Sequence, residues 1–337
     1  MHSGILTRKT VLAMTLAILA VPAILAQQNN TAPAPPPAPT ASTEEVPAAP
    51  QATAPVRGTP QFPPVDPANF TAATPPKETV NAFLQQLWGY DPDRVWQVQA
   101  IQKTAAQGVS KITVLAAQKT NPQQVGSLQF FTTPDGQHLI SNEVMSFGTR
   151  PFDAPRKTLQ SSANGPSRGP ASKDLMLVEF ADFQCPHCKE AQPTVQRLLA
   201  DFPNAHFVFQ NLPLTSIHPE AYKAATYGVC VAKQSGDDAF FKFSDTVFTN
   251  QASLTPEAAD ATLKDAATKA GADAAKAAAC SQSSEAKIAV DGSIHLAQDL
   301  NVSETPWLFI NGRGLPLNSV PYETLKKIVE FQVQDDK

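Results

Sequence analysis

Residues 175–188 read Leu-Met-Leu-Val-Glu-Phe-Ala-Asp-Phe-Gln-Cys-Pro-His-Cys, and this stretch decides the fold. Positions 175–180 are apolar save one, the pattern of a central strand covered on both faces. A Cys-x-x-Cys follows directly, and the periodicity turns helical over 186–200. A second strand is expected at 205–210. A long helical run comes next, at 220–233, 239–248, 256–269 behind a Thr255 cap, and 272–300 with a break near Ser281. Positions 307–311 return to strand, 312–314 turn, and 322–331 close as a helix. Strand, helix, strand, helical excursion, strand and helix is the order of an α/β domain.

The setting of the two cysteines points to redox chemistry. A sulfur at a helix N-terminus meets free backbone N–H groups and the positive end of the helix dipole, so the thiolate of Cys185 is favoured. Cys188 lies one turn inside the helix, able to close a disulfide with Cys185 yet shielded. Cys185 is therefore expected to attack and Cys188 to resolve. Pro186 takes the first helical turn without losing a needed N–H, and His187 adds a donor and at times a charge beside the thiolate. A more stable thiolate makes a more stable reduced form and a stronger oxidant.

Other uses of the motif fit less well. Haem attachment needs a histidine after the second cysteine, where this chain has Lys189. Zinc needs four ligands, and there is no second Cys-x-x-Cys, so no metal is expected. A purely structural bridge between residues so close would constrain little of the unfolded chain. Glu179 is the second informative residue. An unpaired carboxylate is costly inside a strand buried on both faces. Six residues before Cys185, it would sit beneath the motif, placed to exchange a proton with Cys188 as the disulfide opens and closes.

Working outward, 153–172 carry Pro155, Gly165, Pro166, Gly169 and Pro170 and read as a hinge. Ahead of it, 79–152 read as a small α+β domain. Val80, Phe83, Leu84 and Leu87 line one side of a helix at 79–88, and alternation at 96–100 and 112–116 gives two half-buried strands. Phe130 and Phe131 lead into Thr-Thr-Pro-Asp-Gly (132–136), a hairpin turn. Residues 27–78 hold 14 prolines among Ala, Thr and Gln and read as a disordered Pro/Ala-rich tether. Residues 1–26 set Arg8 and Lys9 before an apolar run and read as a signal peptide. Export would place the four cysteines in an oxidising compartment.

Composition agrees with this division. Charged residues are 17% of the 337 and prolines number 31, about twice the usual share, so part of the chain is expected not to fold. The formal charge of −4 becomes −6 without 1–26, and nucleic-acid binding, which wants a basic patch, has no support.

Two segments, Glu-Phe-Ala-Asp-Phe-Gln-Cys-Pro-His-Cys (179–188) and Thr-Pro-Trp-Leu-Phe-Ile-Asn-Gly (305–312), resemble the two signatures of DsbA-like periplasmic thiol-disulfide oxidoreductases. The resemblance covers about 173–333 and implies a thioredoxin fold at 173–337 with a helical insertion at about 215–300. It further implies Cys185 as nucleophile, Cys188 as resolver, Glu179 as buried acid, and Pro306 in cis facing the disulfide, with Thr305 offering backbone hydrogen bonds to an extended substrate held as a mixed disulfide. It implies no cofactor. This chain departs from the family pattern at two points. No lysine lies on the strand at 205–210, which leaves the tuning of Glu179 open, and the threonine before Pro306 looks more like the isomerase branch. The segment 128–141 is similar to part of the dimerisation domain of DsbC-like and DsbG-like isomerases, and a generic hairpin explains it as well.

Cys230 and Cys280, both in the helical run, are expected to form a structural disulfide, with buried thiols or a redox relay as alternatives. His218, ahead of Pro219 and Glu220, is read as a residue leading into a helix, with a role beside the active site as the alternative, and Phe240, Phe241, Phe243 and Phe248 as core, with a substrate groove as the alternative. The expected activity is that of an exported thiol-disulfide oxidoreductase, oxidase favoured, acting on unfolded or misfolded exported proteins and served by a membrane or soluble redox partner. The alternatives are a dimeric isomerase joined through 79–152 and, in another class, a redox-silent chaperone that holds substrates.

Overall fold

The computed structural model describes residues 58–141 and 144–335. The expected signal peptide at 1–26 and the tether up to residue 57 lie outside the described residues. The rest of the expected tether is ordered against a sheet, a correction to the compositional reading. Gly58 N–H donates to Lys119 O at 2.9 Å, and the Pro63 carbonyl accepts from the side chains of Gln97 and Gln99. Phe70 then bridges Ile101. Proline removes a donor but keeps its carbonyl, so a proline-rich strip can still be stitched to a sheet edge by side-chain amides.

Helix α1 (Lys77–Trp88) buries Val80, Phe83 and Leu84, the i, i+3, i+4 face expected of it. It lies on an antiparallel sheet of β1 (Arg94–Lys103), β2 (Ser110–Gln118), β3 (Asn121–Thr132), β4 (His138–Ile140) and β5 (Val144–Ser146), in that order. The register of β1 on β2 shifts between Val98 and Ala100, a bulge at Gln99 that moves the inward face from Val98 to Ile101. The hairpin closes with Gly136 at φ +66°. Strand β3 is much longer than its aromatic end foretold. Phe131, Leu128 and Val125 remain 36–40% exposed while Phe130 enters the core.

The expected hinge at 153–172 is corrected. Helix α2 (Asp153–Ser162) and strand β6 (Ser167–Arg168) occupy it, with Leu159 packed among Met176, Val178, Phe180, Val208 and Phe309. Pro155 falls in the first helical turn, where the missing N–H costs nothing. Gly165 serves a close approach rather than flexibility, since a Cβ there would lie 1.9 Å from Phe209 O.

The second sheet runs β10–β9–β7–β8–β6. Its centre, β7 (Met176–Ala181), is buried at every residue, parallel to β8 (His206–Asn211) and antiparallel to β9 (Trp307–Ile310). Leu177 and Ala181 face one core, and Met176, Val178 and Phe180 face the other. Helix α3 (Pro186–Asp201) joins β7 to β8. The insertion before β9 comprises α4 (Ala221–Ser235), α5 (Asp237–Thr249), α6 (Ala259–Lys269), α7 (Ala274–Ser281) and α8 (Ser284–Asp299). Cys230 and Cys280 are disulfide-bonded, linking α4 to α7. The phenylalanine set is core: the ring of Phe183 contacts those of Phe209, Phe240, Phe243 and Phe248 at 5.3–6.2 Å. Where a turn was expected at 312–314, strand β10 (Arg313–Pro316) begins; α9 (Tyr322–Asp335) ends the described chain. This is a thioredoxin fold with a helical insertion, preceded by a small α+β module.

Arg313 joins the two sheets' surroundings. It is 5% exposed and donates to the carbonyls of Gln86 (3.4 Å) and Leu87 (2.9 Å), orphan acceptors at the end of α1. Its guanidinium lies over the rings of Tyr90 and Phe152, and burial lowers its pKa to about 10.

Candidate functional site

The site lies where β7 hands over to α3. Cys185 is the N-cap of α3, with extended backbone (φ −71°, ψ 118°), and Pro186 is the first helical residue. Both thiols are free. The sulfur of Cys185 reaches Thr305 O at 3.5 Å, and the Thr305–Pro306 bond is cis. Pro306 is buried and its carbonyl takes Leu317 N–H, while Thr305 is half-exposed at the rim.

The two thiols are electrostatically opposite. Cys185 is pulled down to about 5, first by a hydrogen bond from the Cys188 thiol; burial works against it, and Thr305 and the N–H groups of Cys188 and His187 add to it. Cys188 is pushed upward, first by burial and then by its bond to Cys185, while an N–H bond from Asp182 at 3.4 Å resists. Cys185 is thus a thiolate at neutral pH and Cys188 a thiol. His187 is exposed, and Glu190 at 3.1 Å raises its pKa.

Glu179 is fully buried on β7, pushed up to about 8 by burial and only partly relieved by Gln192. Gln192 Nε2 donates to Glu179 Oε1 at 3.3 Å and to Cys188 O at 3.0 Å, linking the acid to the motif helix, while Oε2 has no partner among the described residues. The residues singled out in the sequence, Glu179, Cys185, Pro186, His187, Cys188, Thr305 and Pro306, therefore lie on three neighbouring elements. Cys230 and Cys280 belong to the insertion. Among the described residues no cluster of three His, Cys, Asp or Glu is placed to hold a metal.

Sequence reasoning missed Asp182, Gln192 and Gln251, and held a place for His218 beside the active site only as the alternative. Gln251 Nε2 donates to the carbonyls of Phe183 and Cys185, both at 2.9 Å. His218 does more than lead into α4: its Nδ1 lies 2.8 Å from Asp182 Oδ2. The argument applied to Glu179, an acid inside an apolar run, would have found Asp182, which is 1% exposed. Nothing local would have paired it with His218.

The thioredoxin family model matches residues 161–331. Among curated proteins, a Na(+)/H(+) antiporter NhaA 1 of Salinispora arenicola is 35% identical over 153 residues, 43% of this chain and 21% of that protein. A Na(+)/H(+) antiporter NhaA 3 of Salinispora tropica is 34% identical over 146 residues, with the same two shares. The chain thus spans about a fifth of the length of these curated relatives. Among solved structures, ScsC of Proteus mirabilis in a transitional conformation is 22% identical over 54% of this chain and 78% of that chain, with TM-score 0.46. BdbD of Bacillus subtilis, oxidised, is 22% identical over 50% and 93%, with TM-score 0.45. No described helix is long and apolar enough to cross a membrane.

Proposed function

This chain belongs to the thioredoxin family, and from that premise we propose that it is a thiol-disulfide oxidoreductase that forms or exchanges disulfides in other exported proteins through Cys185 and Cys188. The observation that carries the reading is the asymmetry of the two sulfurs: one, on a residue 5% exposed, a thiolate at a helix mouth beside the Thr305–Pro306 loop, the other a thiol on a residue with no exposed surface. In the oxidised form a substrate thiolate attacks Cys185 Sγ, the Cys185–Cys188 bond breaks, and Cys188 leaves with the electron pair and takes a proton, for which Glu179 is the nearby acid. A second substrate thiolate then attacks the substrate sulfur of the mixed disulfide and expels Cys185 as thiolate. The substrate dithiol loses two electrons and the protein disulfide gains them. The low thiolate pKa stabilises the reduced form, which favours oxidation over reduction of substrates.

The isomerase reading draws on Thr305 and on β3, whose exposed Val125, Leu128 and Phe131 would be the surface for joining two copies through 79–152. Antiport, named for the relatives, is not carried over. Insulin reduction and refolding of a scrambled disulfide protein, each run with wild type and Cys185→Ala, test the proposal. Cys188→Ala should accumulate mixed disulfides through Cys185 in a periplasmic extract. Equal protection from aggregation by wild type and Cys185→Ala, with no disulfide exchange by either, would leave the holding chaperone as the answer.

A further inference from the structure

Asp182 touches both cysteines through its backbone. Its carbonyl accepts Cys185 N–H at 3.1 Å, and its N–H points at Cys188 Sγ at 3.4 Å. Its carboxylate is spent elsewhere. Oδ1 accepts Gln184 N–H at 2.7 Å, an Asx turn that bends the chain from β7 into α3. Oδ2 accepts Leu214 N–H and faces His218 Nδ1, each at 2.8 Å, so one buried oxygen ties the motif loop to the segment between β8 and α4. His218 is 16% exposed by its side chain and is itself fixed, its N–H donating to Leu214 O at 2.9 Å. Gln184 adds a parallel tie, accepting Glu220 N–H at 2.5 Å and donating to Leu254 O at 2.8 Å. The other ionisable groups around this loop include Glu179 on β7, the two cysteines, His187 in the first turn of α3, which interacts electrostatically with Cys185, and Glu220, whose carboxylate holds Lys223.

We propose that Asp182, clamped by His218, is a positioning residue for the dithiol: the pair fixes the turn at 182–185 and thereby holds Cys185 where the N–H groups at the helix mouth stabilise its thiolate. A buried carboxylate accepting three hydrogen bonds is held in one place, because losing any one leaves an acceptor unsatisfied away from water. With the clamp gone, the turn gains freedom and the N–H groups that converge on Cys185 lose their aim. A carboxylate acting only through its charge would do the opposite, since a negative group near a thiolate disfavours it. The two accounts therefore predict opposite signs for removal of that charge.

The inference rests on the oxidoreductase reading for its biological consequence, but its test does not need disulfide exchange. The rate of Cys185 alkylation in the reduced full chain is followed against pH by mass spectrometry, beside thermal melting and insulin reduction. His218→Ala and Asp182→Asn are each expected to raise the midpoint of Cys185 by about one pH unit, which is roughly a tenfold loss of thiolate on the acid side. A fall in melting temperature with the midpoint unmoved would overturn the proposal and leave the pair as a structural lock. A lowered midpoint in Asp182→Asn would also overturn it, in favour of charge. Should Asp182→Asn fail to fold, His218→Asn decides, because its amide can keep an N–H on Oδ2. It is expected to hold the wild-type midpoint, and a midpoint as high as that of His218→Ala would refute positioning. Wild type that alkylates as described but exchanges no disulfides would sink the oxidoreductase reading and leave the clamp standing.

Discussion

Replacing Glu179 by glutamine should stabilise the protein, and should do so only as the pH rises. The carboxyl is fully buried on β7, one oxygen meets Gln192 and the other nothing, and its pKa rises from 4.5 to about 8 because burial penalises the charged form. A folded-state value above the unfolded one means that the group costs nothing extra below the unfolded pKa. Stability is then lost as pH climbs from 4.5 towards 8. At about 1.4 kcal/mol per unit, the loss is roughly 3 kcal/mol at pH 7 and approaches about 5 kcal/mol above pH 8. Glutamine keeps an oxygen for Gln192 and removes the charge, so the gain of Glu179→Gln over wild type is near zero at pH 4.5 and grows over that window. In melting temperature the gain at neutral pH is roughly 6–12 °C at the usual 2–4 °C per kcal/mol for a chain of this size. The assay is thermal or urea unfolding at half-unit steps from pH 4.5 to 8.5, in a Cys185→Ala/Cys188→Ala background so that thiol titration does not overlap. A gain independent of pH, or largest at acid pH, would refute the reasoning, because the carboxyl would then be ionised and compensated in the fold.

Cys185 titrates with the opposite sign. With its pKa lowered from 9.0 to about 5, the reduced protein gains stability relative to Cys185→Ala as pH rises from 5 to 9, and loses it as pH falls through 5. Alkylation at pH 6 should label Cys185 and spare Cys188; preferential labelling of Cys188 would reverse the roles. Removing the insertion disulfide with Cys230→Ser/Cys280→Ser, which opens a link across a sequence separation of 50, should cost roughly 4 kcal/mol by denaturant unfolding while Cys185–Cys188 turnover persists. Lost turnover at intact stability would instead make the pair a relay. Arg313→Met should cost roughly 2–3 kcal/mol by leaving the Gln86 and Leu87 carbonyls unsatisfied, and should speed limited proteolysis between α1 and α2. Unchanged proteolysis would mean that the two modules are held by packing alone.

What the sequence made legible was local. A six-residue apolar run with one acid in it, followed by two cysteines at helical spacing, is a signal carried by contiguous residues, and β7, α3 and Glu179 were found from it. The cis state of Pro306 came only from resemblance, because nothing in the neighbouring residues distinguishes it from any other X-Pro bond. The bond between Asp182 and His218 spans 36 positions and leaves no periodicity behind. Strand β3 was missed over Asn-Pro-Gln-Gln-Val-Gly-Ser (121–127) because its side chains do not alternate; backbone pairing with β2 holds it there. The hinge was misread because proline and glycine punctuate both flexible joints and tight packing, and only tertiary contacts such as Gly165 against Phe209 tell the two apart.

That last distinction bears on what the N-terminal module does. Were 153–172 a flexible joint, the module could swing and two catalytic domains could close on a substrate. The stretch is instead a helix packed on the second sheet and a strand paired with β8, Ser167 opposite Val208. Arg313, the residue that grips the end of α1, opens β10, and β10 pairs with β9, the strand that starts one residue after Pro306. The module is therefore anchored through two strands to the same backbone that carries Thr305 and Pro306. Any cleft formed by two copies would be set by how their β3 surfaces meet, not by motion at 153–172. An isomerase built this way would act as a fixed clamp. Its ability to reshuffle a scrambled protein should then fall when β3 pairing is blocked, for example by Val125→Lys.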